Sequence, residues 1–165
     1  MKIYHLSHTD LDGYGAQYIT NFYFKDVKFL NSNYGREIDD KFAQILSEID
    51  ASNDDKNVIL ITDLNLSLAQ CESFEEMIDG KNIKLFLLDH HQSGAECASV
   101  YSWYFLDSSR CATKITYDFF AGIFGKNKEL EIFSDVVNAV DIWLKMIKIS
   151  RWVRSAWGLW QMLKR

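Results

Sequence analysis

Two stretches of this chain, NVILITD (57–63) and NIKLFLLD (82–89), leave little choice of architecture. A strand turns successive side chains to opposite faces, so an apolar run without alternation has to be buried on both sides. Both runs read as strands buried on both faces, and each ends in an aspartate. Segments of helical period lie around them. REIDDKFAQILSEID puts Ile38, Phe42, Ile45, Leu46 and Ile49 on one stripe, and LSLAQCESFEEMID reads as a helix capped by Ser67. KIYHLSH and DVKFLNSN read as strands, with the helix GYGAQYITNFYF between them. After the loop HHQSGAECA, SVYSWYF reads as an edge strand, and helices over 109–124 and 129–144 complete the pattern. Strands alternating with helices predict an α/β domain with a doubly wound, mainly parallel sheet of about five strands flanked by helices.

The chain has 165 residues, enough for one domain with a sizeable core. Its 48% hydrophobic and 25% charged residues are those of a globular protein. A net charge of −5 argues against stable, backbone-driven binding to long nucleic acid. Cys71, Cys97 and Cys111 form no CxxC pair, so neither a disulfide framework nor a zinc ribbon is indicated. Charges interrupt every apolar stretch and no signal peptide stands out, which gives the expectation of a cytoplasmic protein without membrane partners. A homodimer is the assembly held open.

The first strand runs into HLSHTDLDG, which crowds His8, Asp10 and Asp12 together. Asp63 ends the first buried run, and Asp89, His90 and His91 end the second. In doubly wound sheets, ligands bind beyond the carboxyl ends of the strands. One aspartate after a strand is an ordinary turn former or helix cap. Three strand ends carrying acids, with three of the four histidines among them, make a site. Crowded carboxylates have to be protonated or neutralised by cations. The expected occupants are two divalent ions about 3.5–4 Å apart, the usual device for attack on phosphorus. Mixed imidazole and carboxylate ligands favour Mn2+, with Mg2+ as the second choice. The tetrapeptide Asp10-Leu11-Asp12-Gly13 also looks like the opening motif of haloacid dehalogenases. Tyr14 stands where that family has threonine or valine, and DHH has no role there.

SHTDLDG, LITDLN, LLDHHQS and NAVDIW, in this order, resemble the four motifs of the DHH phosphoesterases, closest to the RecJ-like and nanoRNase/pAp-phosphatase branch. The resemblance implies that His8, Asp10 and Asp63 bind one metal. Asp12, Asp63, His90 and Asp141 would bind the second, with Asp63 bridging. His91 would contact the substrate phosphate, and Asp89 would orient the histidines. Some branches place the first histidine four residues before the first aspartate, whereas His8 stands two before Asp10. The implied function is metal-dependent hydrolysis of phosphate esters of nucleotides or short oligonucleotides, by a hydroxide bridging the metals. A manganese-dependent inorganic pyrophosphatase is the alternative within the same chemistry. Outside the motifs, Ser108 and Ser109 in DSSRCAT are candidates to receive a phosphate at a helix start, with plain capping the equal alternative. Arg36 is a candidate phosphate fork, a solvated side chain being the simpler role. His5 is read as structural.

Members of that family usually continue into a DHHA1 substrate-binding domain. Here residues 1–144 are read as the catalytic domain, and 145–165, KMIKISRWVRSAWGLWQMLKR, as an atypical tail. The tail has six basic residues, no acid and three of the chain's five tryptophans. It reads either as a basic amphipathic helix or, the sharper explanation, as the product of a frameshift. A chain without DHHA1 is expected to bind metal even if, as a truncated fragment, it turns over poorly or not at all.

Overall fold

The computed structural model describes residues 1–51 and 56–142. The tail at 145–165 and the last two positions of the expected final helix lie outside the described residues.

Five parallel strands form one sheet in the order β2-β1-β3-β4-β5. They are β1 (Lys2–Ser7), β2 (Val27–Asn31), β3 (Asn57–Thr62), β4 (Ile83–Asp89) and β5 (Tyr104–Leu106). From β1 the chain steps outward to β2, then crosses back and continues through β3 to β5. The direction of winding therefore reverses between β1 and β3, where a crevice opens beyond the carboxyl ends of the strands.

Both faces of the sheet are covered, as the apolar runs require. On one face Tyr4, Leu6, Ile59, Ile61, Leu85 and Leu87 meet α2 (Arg36–Asp50), α3 (Leu68–Ile78) and α4 (Ala95–Val100). Phe42 of α2 stacks on Phe74 of α3 with ring centres 3.7 Å apart. On the other face Ile3, Leu60 and Leu88 pack against α1 (Leu11–Tyr23), α5 (Ala112–Phe124) and α6 (Lys128–Asp141). Ile59 and Ile61 thus face one layer of helices and Leu60 the other. Ser67 caps α3 in a reciprocal pair with Gln70. His5 is fully buried, its Nε2 2.8 Å from Thr62 Oγ1, and burial pushes its pKa down to about 3.

The expected edge strand is shorter than its composition suggested. Ser99 and Val100 belong to α4, whose last turn closes through Tyr101 N–H to Cys97 O. Buried Cys97 anchors that turn in the core, leaving only Tyr104–Leu106 to pair with β4. The helix expected from 109 starts at Ala112. Asp107 accepts from the amide and hydroxyl of Ser109 and from Arg110, which holds 107–110 as a turn. In the other direction α1 starts at Leu11, taking Asp12 into its first turn, with the Asp10 carboxylate accepting from Gly13 N–H at 3.0 Å. Gly13 has to be glycine here, since a Cβ would stand 2.3 Å from the His8 carbonyl oxygen. No helix among the described residues is long and apolar enough to cross a membrane.

Candidate metal centre

The carboxyl ends of β1, β3 and β4 deliver their acids and imidazoles to the crevice beside the switch point. The tight turn from β1 into α1 holds His8 over the sheet edge, and its carbonyl accepts from Asn31 at 3.0 Å. His8 Nδ1 lies 2.9 Å from Asp10 Oδ2 and 3.8 Å from Asp63 Oδ2. Asp63 follows β3 in the left-handed region, φ 56°, and is the only non-glycine residue so placed among the described residues. Aspartate tolerates that conformation better than most side chains, at some strain. The twist turns its carboxyl back over the sheet edge. Oδ2 then faces His8, while Oδ1 faces His90 Nε2 at 3.2 Å.

His90 Nε2 also stands 3.6 Å from Asp12 Oδ2 and 3.7 Å from Asp141 Oδ2. Asp12 reaches this position from α1 and is held by the start of α5. Its two carboxylate oxygens accept from the amides of Ala112 and Thr113, each at 2.7 Å. Thr113 Oγ1 donates to the Asp12 carbonyl, also at 2.7 Å. Asp141 arrives at the C-terminal end of α6. That helix is tied to the start of α5 by Asn138 Oδ1, which accepts from Cys111 N–H at 2.7 Å. Three sets of side chains have the geometry to hold a metal ion: His8, Asp10 and Asp63; Asp12, His90 and Asp141; and Asp63, His90 and His91.

His91 sits at the edge of these sets in a chain of hydrogen bonds. Its Nδ1 is 2.7 Å from Asp89 Oδ1, and its Nε2 is 3.1 Å from the hydroxyl of Tyr34. The other oxygen of the fully buried Asp89 accepts from Tyr104 O–H at 3.0 Å. Tyr34, from the loop between β2 and α2, also lays its ring on His8, with centres 4.4 Å apart. Gly94 makes room for Tyr104, since a Cβ there would stand 2.1 Å from its hydroxyl.

The charges are unbalanced without a cation. Burial, then the nearby Asp12 and Asp10 carboxylates, push the Asp63 pKa up to about 10. Asp141 is raised by burial and by Asp12. Burial also works to raise Asp10, but the Gly13 amide and its other hydrogen-bond partners outweigh it, and the pKa falls. The bond to Asp89 raises His91. Tyr34 is held above the ordinary phenol range by burial and the surrounding carboxylates. At the centre, the buried His8 Nδ1 and Asp63 Oδ2 lie 3.8 Å apart beside the Asp10 carboxylate, which is 2.9 Å from His8 Nδ1. Neither makes a well-aligned hydrogen bond among the described residues. Two lone-pair atoms turned toward one another beside a carboxylate are what a divalent cation would join, so the donor set fits one.

A pH dependence follows. Asp63, Asp141 and His91 all have folded pKa values above their unfolded ones, so the metal-free fold binds more protons than the unfolded chain. Their contribution to stability is complete below the unfolded values and is lost as pH rises toward the folded ones. His5 acts in the opposite sense only below its ordinary value of 6.5. In EDTA, Tm is therefore expected to fall between roughly pH 7 and 9. Saturating Mn2+ should remove that fall, because cation binding displaces the protons. Scanning calorimetry at several pH values checks this, and a chelated Tm that rises across the interval contradicts it.

The structure thus brings His8, Asp10, Asp12, Asp63, Asp89, His90, His91 and Asp141 to one crevice. Ser108 and Ser109 lie in the turn before α5. Ser109 is bound to Asp107, and the first α5 amides, which a phosphate would need, are occupied by Asp12. Arg36 is exposed at the first position of α2. Tyr34, Tyr104 and the amides of Ala112 and Thr113 are additional participants. The sequence offered a signal only for Tyr34, which follows a strand end like the other site residues.

No family model matches the chain. It is similar to a 3',5'-cyclic-nucleotide phosphodiesterase of Helicobacter pylori strain 26695, with 45% identity over 153 residues, covering 87% of this chain and 44% of that protein. Among solved structures, it is similar to an uncharacterized protein from Helicobacter pylori G27, with a TM-score of 0.83 and 42% identity, over 88% of this chain and 45% of that one. The chain spans less than half the length of these relatives.

Proposed function

We propose that this chain is the catalytic domain of a metal-dependent phosphodiester hydrolase of the DHH type, acting on nucleotides or short oligonucleotides. The observation that carries the reading is the disposition of Asp63, whose two oxygens face two different sets of ligands. His8 and Asp10 complete one set, and Asp12, His90 and Asp141 the other. When bound, a pair of divalent cations supplies Lewis acidity at the phosphate and activates water. The imidazoles favour Mn2+ over Mg2+. Without cations the clustered carboxylates repel a phosphate, so substrate binding depends on prior loading. Asp89, buried and held by Tyr104, fixes the ring of His91, and His91 meets a phosphate oxygen. Arg36, at the start of α2, is the cation proposed to reach the rest of an anionic substrate. The activity named for the Helicobacter pylori relative supports a 3',5'-cyclic nucleotide as the first substrate to try.

The test is an assay of purified protein with Mn2+ on 3',5'-cyclic AMP, short RNA, pAp and pyrophosphate. Turnover of a nucleotide substrate that EDTA abolishes is expected. Activity on pyrophosphate alone would transfer the reading to a pyrophosphatase. Bound metal with no turnover beyond an Asp63→Asn control on any substrate would overturn the enzyme reading and leave a metal-binding fragment.

A further inference from the structure

We propose that Tyr34 is a positioning residue for His91, so that imidazole and phenol, hydrogen-bonded beforehand, meet the substrate together. The proposal rests on the phosphodiesterase reading above and extends it to a residue outside the four motifs. Both ring nitrogens of His91 have partners: Nδ1 is 2.7 Å from the Asp89 carboxylate and Nε2 is 3.1 Å from the Tyr34 hydroxyl. The Asp89 bond at Nδ1 sets the orientation of the ring, and the phenol hydroxyl holds the remaining nitrogen, Nε2, in a defined hydrogen bond before substrate arrives. Nε2 has one in-plane hydrogen-bond direction, here taken by the phenol. A phosphate oxygen that comes to Nε2 therefore takes the phenol's place and leaves its O–H free to donate to the same phosphate.

The backbone around Tyr34 is hydrogen-bonded on both sides. Ser32 N–H donates to Ser7 O at 3.0 Å, anchoring the loop to the end of β1. Asn33 donates from its amide and its side chain to Glu37 Oε2, at 3.1 and 2.9 Å. On the far side, Gln70 Nε2 donates to the Gly35 carbonyl at 3.2 Å. Gly35 itself has φ 80°, which glycine adopts without strain. A hydroxyl fixed in this way is organised before substrate arrives, the arrangement that lowers a barrier most effectively. If Tyr34 merely covered His8, its ring would suffice and its hydroxyl would be dispensable.

Tyr34→Phe separates the two roles, because it keeps the ring on His8 and deletes only the hydroxyl. With Mn2+ and the nucleotide substrate, kcat is expected to fall about tenfold, while KM and Mn2+ affinity stay within about twofold. In a His91→Ala background the same substitution should have no further effect, since the pair acts as a unit. The 15N resonance of His91 Nε2 should also shift in Tyr34→Phe. Unchanged kcat, a loss explained by KM or metal affinity, or equal losses with and without His91 would each overturn the proposal. A wild-type protein that turns over no substrate overturns the functional reading and the proposal with it. Turnover that Tyr34→Phe matches overturns the proposal alone.

Discussion

Asp63→Asn is expected to abolish turnover and the metal-induced rise in Tm, while leaving the chelated protein at least as stable as the wild type. The amide keeps the shape of the carboxyl and, like aspartate, tolerates the backbone at φ 56°, so the turn after β3 is preserved. What changes is charge. In the metal-free protein the Asp63 carboxylate is disfavoured by burial and by Asp12 and Asp10, so a neutral side chain removes a repulsion. In the loaded protein the same change takes an anionic oxygen from both ligand sets. The loss of activity should exceed the roughly 100-fold that outer partners of metal ligands are worth. Thermal scans with and without Mn2+, beside the phosphodiesterase assay, read both effects. A variant that still gains stability from Mn2+ as the wild type does would show that Asp63 is not shared between the sets.

Asp12→Ala is expected to give the largest loss of stability, and comparison with Asp12→Asn isolates its origin. The carboxylate is buried and accepts from two amides at the start of α5, at 2.7 Å each. Alanine leaves both amides without an acceptor, whereas asparagine retains one oxygen. An unsatisfied buried amide costs about 1–3 kcal/mol. Both substitutions remove the same charge, so the relief of repulsion at Asp63 cancels between them. In urea titrations with EDTA, Asp12→Ala should therefore be less stable than Asp12→Asn by about 1–3 kcal/mol. Equal midpoints would mean that the α5 amides find other acceptors.

The strand-end residues were legible because they follow from one rule. Once NVILITD and NIKLFLLD are buried parallel strands, Asp63 and the Asp89-His90-His91 triplet have to emerge at the same edge as HLSHTDLDG. The resemblance of LLDHHQS and its companions to known motifs then suggested their roles and added Asp141. What stayed hidden depends on contacts between distant parts of the chain. Nothing in the sequence near Asp12 announces that Ala112 and Thr113 will bind it. Tyr104 reads as one more aromatic of an edge strand until β5 brings its hydroxyl to Asp89. The turn at Asp107 was obscured because DSSR is as compatible with a helix start as with an Asx turn. In SVYSWYF, aromatic and β-branched composition suggested extended chain, but burial of Cys97 kept the first residues helical.

Asp12 and its bond to α5 give the two ligand sets different folding histories. His8, Asp10 and Asp63 are all present once the first 63 residues have been made, and they need only β1 and β3 to pair. The second set joins Asp12 to His90 and Asp141, and its anchor at Thr113 closes a loop spanning 101 positions. Closing so long a loop carries a larger entropy penalty and is reached later in folding. During synthesis the first cation seat would be assembled while the helices that complete the second are still emerging. On the proposed two-metal reading, occupancy of the second set would report that α5 and α6 have docked, and its cation would mark the finished domain.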